Sequence, residues 1–458
     1  MSQQTDKYRK LFKENQEKHL KDLFEFLRFQ SISADPAFSD SVLACADWVE
    51  AYLKDSELKV ERWETSGYPV IFAEYNEAGP DKPTLLIYNH YDVQPVDPLE
   101  LWESPPFEPV VKDGEIFSRG ATDNKGQAFF VFAAIKEMLK SQGSLPVNLK
   151  LFIEGEEESG SESMEEVLES KRERLKSDFV LIVDVGIHGM DRPSVIVGTR
   201  GIITMELKLR GSNTDLHSGV FGGLAYNPNH ALVEILAAMR NDKGEIQIPG
   251  FYDNLEKLSE EEKELVNFNF QPDEFKTLLG LECTGGEKDF KPLESAWLRP
   301  TLEINGVSGG YAGEGFKTVI PAEATAKISC RLAPGQKIED IKNKIEKFIE
   351  TKTPEGITSE LNVFGGSGEA ARTSPQSKIV KLCQQSIAEV FGKECKIVME
   401  GASIPVGPSL TQAAEGELAF MGFILPGDKM HAPNEHFGVE RLEIGFASIS
   451  RLLELMGE

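Results

Sequence analysis

Across residues 1–195 the chain alternates short, unbroken apolar runs with longer stretches whose apolar positions recur at helical spacing. "YPVIFAEYN", "PTLLIYNHYD" and "DFVLIVDVG" are too short and too evenly apolar for amphipathic helices, and predict strands buried on both faces. "VNLKLFIEGEEESGS" predicts a fourth strand that runs directly into acidic residues. "LKDLFEFLRFQSIS", "SDSVLACADWVEAYLKD", "AFFVFAAIKEMLKS" and "SMEEVLESKRERLK" predict the helices between them. Strands alternating with helices imply an α/β sheet covered on both faces.

Near residue 195 the pattern changes. "SVIVGTRGIITMELKLRG" alternates with period two, the signature of strands with one wet face. The helix "NPNHALVEILAAMRN" follows, then an irregular stretch over 241–300 with charged helical pieces such as "SEEEKELVNF". "RPTLEINGV", "EATAKISCRLA" and "ITSELNVFG" predict further strands, with the helix "KIEDIKNKIEKFIE" before the last. This reads as an α+β unit inserted at 196–373 into a domain built from 1–195 and 374–458. In the last part the expected elements are the helix "SPQSKIVKLCQQSIAEVFG", the strand "KIVME" and the helix "GFASISRLLELMG".

A length of 458 residues agrees with more than one core. The net charge of −26, from 75 acidic and 49 basic residues, argues against nucleic acid or an anionic membrane as partner. Cys45, Cys283, Cys330, Cys383 and Cys395 are scattered, odd in number and without a C-x-x-C, so they read as reduced thiols of a cytoplasmic protein. "MSQQTDKYRKLFKENQEKHL" has no apolar core of a secretory signal, and no stretch reaches the ~18 apolar residues of a membrane span.

The chemistry sits where strands end. "NHYD" puts His90 and Asp92 two residues apart, on one face if the strand continues; for an isolated H-x-D, a polar strand cap is the commoner reading. Two other strands end in acids, Glu157 and Glu158 after "LKLFIEGEEES" and Asp184 after "FVLIVD", and ligands of open α/β sheets bind outside the carboxyl ends of strands. Asp123 in "RGATDNKGQ" enters a helix, where it could equally be an N-cap. "DKMHAPNEHFG" adds His431 in a polar loop, with His436 close by. Dispersed His and carboxylate residues are the donor mixture for zinc or a similar divalent ion. If His90, Asp123, Glu158, Asp184 and His431 are all ligands, five groups are too many for one tetrahedral site. With Asp123 bridging, they give each of two ions three donors. Two dications are then balanced by three carboxylates and a hydroxide.

"NHYDVQP", "GEIFSRGATDNKGQ", "EGEEESGS", "DLHSGVFGG", "KTVIP", "SCRLAP" and "MHAPNEHF" occur in an order, across residues 20–455, that resembles the M20 metallopeptidase family. The likeness is strongest to its cytosolic dipeptidase and carnosinase branch. It implies a mixed-sheet, di-zinc exopeptidase-like catalytic domain with an inserted ferredoxin-like lid and dimerisation domain. By this resemblance His90, Asp123 and Asp184 hold one metal and Asp123, Glu158 and His431 the other. Asp92 orients His90, Glu157 is the general base acting on water between the ions, and the Asp123–Asn124 peptide is cis. A shifted register would make Glu156 the base. His217 resembles a lid histidine that reaches across a dimer to the oxyanion, Arg331 an anchor for the substrate carboxylate, and Thr318 and Ser403 lesser polar contacts. Without the family, His217 is a solvated loop histidine and Arg331 a strand-edge arginine in a salt bridge. His188 and His436 match no family role.

The implied activity is hydrolysis of dipeptides or very short peptides by a homodimer holding two divalent ions per subunit, with zinc first and manganese or cobalt as alternatives. The rival on the same scaffold is an amidohydrolase of N-acyl amino acids, a deacylase or desuccinylase. A non-catalytic binding module would be expected to have lost a ligand or the base, and every one of those positions carries a competent side chain.

Overall fold

A computed structural model describes residues 3–458. In chain order its principal strands are β1 (Lys59–Trp63), β2 (Val70–Tyr75), β3 (Thr84–His90), β4 (Asn148–Glu154), β5 (Phe179–Ile182), β6 (Ser194–Ile196), β7 (Gly201–Arg210), β8 (Thr301–Gly309), β9 (Glu323–Leu332), β10 (Thr358–Val363), β11 (Lys396–Val398) and β12 (Glu417–Phe420). Eight of them form one mixed sheet in the order β1-β2-β4-β3-β5-β12-β6-β11. β3 runs parallel to both β4 and β5, so these three strands deliver their carboxyl ends to one rim. Every residue of β2 and β5 is buried, as their unbroken apolar runs require of strands covered on both faces. Helix Lys125–Gln142 is apolar nearly all round and accordingly buried over most of its length, packed on helix Val439–Gly457.

The second sheet, β8-β9-β7-β10, is antiparallel throughout. Along β7 burial alternates strictly: Ile203, Met205, Leu207 and Leu209 face a separate apolar core with Leu232 and Ile235 of helix Pro228–Ala238 and Ile341 and Ile345 of helix Ile338–Lys352. Period two in the sequence thus marked a sheet with helices on one face only. Leu258, Val266 and Trp297, from the irregular stretch, pack in the larger core of the eight-stranded sheet instead. No helix among the described residues is long and apolar enough to cross a membrane.

Several elements differ from expectation: β1 and helix Val406–Ala414 were not foreseen, and β6, read with the period-two strands, lies in the large sheet. β12 was not expected, yet it sits inside the large sheet, parallel to β5. "GELAFMGF" is an apolar run of four between polar and glycine residues, too short to show a period. The last helix starts at Val439, before the predicted "GFASISRLLELMG".

His19 is an unexpected core residue. Its ring stacks on Phe12 with centroids 5.2 Å apart, and neither ring nitrogen has a hydrogen-bond partner among the described residues. Burial, with Lys18 adding repulsion, lowers its pKa to about 4. Between that value and the ordinary ~6.5 the unfolded chain binds the extra proton, so stability rises with pH through this window and is lost as pH falls from 6.5 through 4, by about 3 kcal/mol in all. His19→Phe should flatten the fall in Tm between pH 7 and pH 4.5, measured by calorimetry on the wild type and the variant.

Candidate metal centre

His90 is the last residue of β3, Glu157 and Glu158 lie in the turn that follows β4, and Asp184 lies two residues beyond β5. The parallel register of β3, β4 and β5 is therefore what gathers them. Asp123 precedes helix Lys125–Gln142, but it is not the cap: Asn124 occupies that position, with no capping bond from its side chain. Asp123 instead points its two oxygens at different histidines, Oδ1 lying 3.2 Å from His90 Nε2 and Oδ2 2.8 Å from His431 Nε2. Asp184 Oδ2 lies 3.7 Å from His90 Nε2, and Glu158 Oε2 3.4 Å from His431 Nε2. The donor atoms of His90, Asp123 and Asp184 thus form one compact group, and those of Asp123, Glu158 and His431 another. The Asp123–Asn124 peptide is cis.

The electrostatics describe a cluster short of positive charge. Burial lifts Glu157 well above the usual carboxylate range; His90 opposes this while Glu158, Asp184 and Asp123 add to it. Burial and Asp123 raise Glu158 to about 7, and burial and Asp123 raise Asp184. Burial would raise Asp123 too, yet His431 and His90 hold it below its ordinary value. Burial would lower His431, but Asp123 and Glu158 hold it up at about 11, and His90 is likewise held high against burial by Asp184, Asp123 and Asp92. Glu158 Oε1 is buried with no hydrogen-bond partner among the described residues, although a buried carboxylate oxygen left unpaired is costly. The donor set, the surplus of carboxylates and this orphaned oxygen all fit a pair of divalent cations.

Other side chains aim the donors. His90 Nδ1 lies 3.2 Å from the Asp92 carbonyl and 3.3 Å from Asp92 Oδ1, which leaves Nε2 facing Asp123. Asp92 is fully buried and also accepts from Ser33 Oγ at 2.6 Å and from the backbone N–H groups of Glu157 and Glu158. Asn124 Nδ2 donates to Asp184 Oδ1 at 2.6 Å, and Gln94 Nε2 to Glu158 Oε2 at 2.8 Å. Glu156 accepts from Ser163 Oγ and is absent from the cavity wall that Glu157 lines, which disfavours the shifted register.

Glu435 was overlooked in the sequence, although it lies inside "MHAPNEHF". Fully buried, it accepts from Arg119 Nη1 at 2.7 Å and from the N–H groups of Gly120, Thr122 and Asp123 at 3.0, 2.9 and 3.1 Å. It thereby ties the loop that carries Asp123 to the segment that carries His431. The missed signal was the one acid in a motif from which only the histidines were read. Glu435→Gln turns an amide NH2 toward backbone donors and breaks the Arg119 pair. It should weaken metal binding by roughly 10–100-fold, as read by calorimetric titration of the metal-free protein.

A cavity of about 560 Å3 opens on the cluster, lined by Asp123, Glu157, Asp184 and His431 and by Arg331 and Ser403. Arg331 lies on β9, paired on both sides, so it is no edge residue. It donates to Ser403 Oγ at 2.7 Å and pairs with no carboxylate among the described residues. Burial lowers the pKa of Arg331, and burial with repulsion from Arg331 lowers that of neighbouring Arg200 to about 10. His217 and Thr318 do not reach this cavity: both are exposed, side by side where Leu216–His217 pairs with Val319–Ile320. His188 lines the cavity but belongs to neither donor group, and His436 stacks on Phe117 outside it.

The family described as "Peptidase family M20/M25/M40" matches residues 86–455. The Cys-Gly metallodipeptidase dug1 of Schizosaccharomyces pombe is 30% identical over 458 residues, 96% of each chain. The Beta-Ala-His dipeptidase of Homo sapiens is 30% identical over 374 residues, 80% of this chain and 73% of the relative. The solved structure of the dipeptidase Dug1p from Saccharomyces cerevisiae superposes with a TM-score of 0.87 at 25% identity, covering 100% of this chain and 99% of that one.

Proposed function

The chain belongs to peptidase family M20/M25/M40, and on that footing we propose how this metal-dependent dipeptidase is assembled. His90, Asp123 and Asp184 hold one divalent ion, Asp123, Glu158 and His431 a second, and zinc suits the mixture of imidazole and carboxylate donors. The observation that carries this reading is Asp123 reaching one histidine with each oxygen. When bound, such a pair of ions polarises a carbonyl oxygen and lowers the pKa of water to near 7.

The remaining steps belong to side chains. Glu157 lines the cavity and ligates nothing in either group, so its carboxylate is free to take a proton from water and hand it to the leaving amine nitrogen. Burial favours its protonated form, which suits a base that must carry the proton between the two events. Arg331 and Ser403 bind the substrate's free carboxylate, for which an unpaired guanidinium offers a bidentate partner. Asp92 and Glu435 hold the donors in place.

The unit 196–373 serves as lid and dimerisation domain, and the working form is a homodimer. β8 leaves a free edge bearing exposed Ile304 and Val307, and Val220, Leu224 and Val233 expose further apolar surface on the same unit. His217 and Thr318, outside their own cavity, would then complete the site of a second copy. The thiols, all unpaired and four of the five buried, suit a cytoplasmic location.

The test is a panel of Cys-Gly, β-Ala-His and plain dipeptides beside N-acetyl and N-succinyl amino acids, using protein loaded with Zn2+ or Mn2+. We expect dipeptides to be favoured by at least tenfold in kcat/KM; the reverse order would assign the amidohydrolase. Arg331→Met should raise KM for dipeptides with little change in Tm.

A further inference from the structure

Two polar residues in the wall of the catalytic cavity, Thr199 and Glu400, belong neither to the metal centre nor to the Arg331–Ser403 pair. The backbone makes them neighbours. β6 and β11 pair in parallel, and past their ends Glu400 N–H donates to Gly198 O at 2.8 Å and Arg200 N–H to Ala402 O at 3.1 Å. Thr199 thus lies between two residues bonded to the 400–402 segment. It is 1% exposed, and its Oγ1 has no hydrogen-bond partner among the described residues. Glu400 Oε1 accepts from the N–H groups of Gly401 and Ala402 at 2.8 and 3.4 Å, while Oε2 is left free and the carboxylate makes no ion pair among the described residues. Arg200, which feels this charge, spends Nε on Gly401 O at 3.0 Å and Nη1 on Arg299 O at 3.3 Å. Lys429, in the same wall, is exposed and does not pair with it.

Ile196, Val398, Ile404 and Ile424 line the same cavity, so the free carboxylate oxygen and the orphaned hydroxyl sit among aliphatic side chains. That combination suits a group with an apolar stem and a cationic tip, whose methylenes are buried and whose ammonium ends in charge-assisted hydrogen bonds. The Thr199 hydroxyl, as an acceptor, would gain the partner it lacks. Ser403 Oγ, on which Arg331 rests, is three residues after Glu400, a stretch that spans at most ~10 Å. The side chain that reaches Glu400 therefore belongs to the residue whose carboxylate Arg331 binds. We propose that Thr199 and Glu400 form a subsite for the side chain of the C-terminal residue and select a basic one, lysine above all. The inference rests on the metal-dependent dipeptidase reading and names a side-chain class for it.

The experiment measures kcat/KM for Ala-Lys, Ala-norleucine and Ala-Glu on metal-loaded protein near neutral pH. Norleucine keeps an unbranched apolar stem and lacks the ammonium, so the ratio of Ala-Lys to Ala-norleucine isolates the charge. The wild type should favour Ala-Lys at least tenfold, with Ala-Glu the slowest of the three. Glu400→Gln keeps an acceptor oxygen for the N–H groups of Gly401 and Ala402, and should bring the ratio below threefold. Thr199→Val should lower it about two- to threefold. Each ratio compares two substrates on one preparation, so a loss of folded protein cancels. A wild-type ratio below threefold, Ala-Glu cleaved as fast as Ala-Lys, or a ratio that survives Glu400→Gln overturns the subsite and leaves the dipeptidase intact. No turnover of any of the three peptides overturns both readings.

Discussion

Glu157→Gln is expected to lower kcat on a dipeptide by roughly 10²–10⁴-fold, the usual contribution of a general acid–base group, while both metal sites still fill. The substitution keeps the size of the side chain and removes only its ability to take a proton. Because Glu157 belongs to neither donor group, both groups are left unchanged. Its charge is opposed by burial and by Glu158, Asp184 and Asp123, so neutralising it should leave metal-free Tm equal to or above the wild type. Glu156→Gln is the control: that residue bonds Ser163 and lies off the cavity, so kcat should change by less than tenfold. Metal stoichiometry, Tm and steady-state kinetics on both variants decide the matter. A Glu157→Gln enzyme of full activity, or a Glu156→Gln enzyme as crippled as the other, would move the base elsewhere.

The same residues show what could be read from the chain and what could not. Apolar run length set β2, β3 and β5 apart from β7, because a strand covered on both faces loses its alternation and one with a wet face keeps it; β6, read with the period-two run, nonetheless lies in the large sheet. The ends of β3, β4 and β5 pointed to a common rim because parallel strands must place their carboxyl ends together. Asp123 could not be resolved alone, since a carboxylate before a helix serves a cap or a metal equally well; in the fold Asn124 stands at the cap and Asp123 contacts two histidines. Glu435 and Arg119 stayed hidden for a different reason. A buried ion pair 316 residues apart in sequence leaves no local period or spacing to read. β12 was missed because four residues carry too few positions to distinguish a strand from a loop.

Asp123→Asn should be the most damaging single change to the centre, more so than Asp184→Asn or Glu158→Gln. Each oxygen of Asp123 serves one donor group, whereas Asp184 and Glu158 each serve only one of the two groups. An asparagine keeps one acceptor oxygen and presents an NH2 to the other site. We therefore expect at most one ion bound, weakly, and dipeptide turnover at background. The Asp184 and Glu158 variants should each retain the opposite site. A ligand at a thousandfold excess over its Kd stabilises the folded protein by ~4 kcal/mol, so the metal-dependent rise in Tm is a direct readout that needs no turnover. That rise should largely vanish in Asp123→Asn and persist in part in the other two. Without metal the comparison with Glu157→Gln reverses sign: His431 and His90 stabilise the Asp123 charge, so removing it should lower metal-free Tm, where removing Glu157's charge should not. Two ions bound to Asp123→Asn with wild-type affinity would mean that the bridge between the sites is made by some other group.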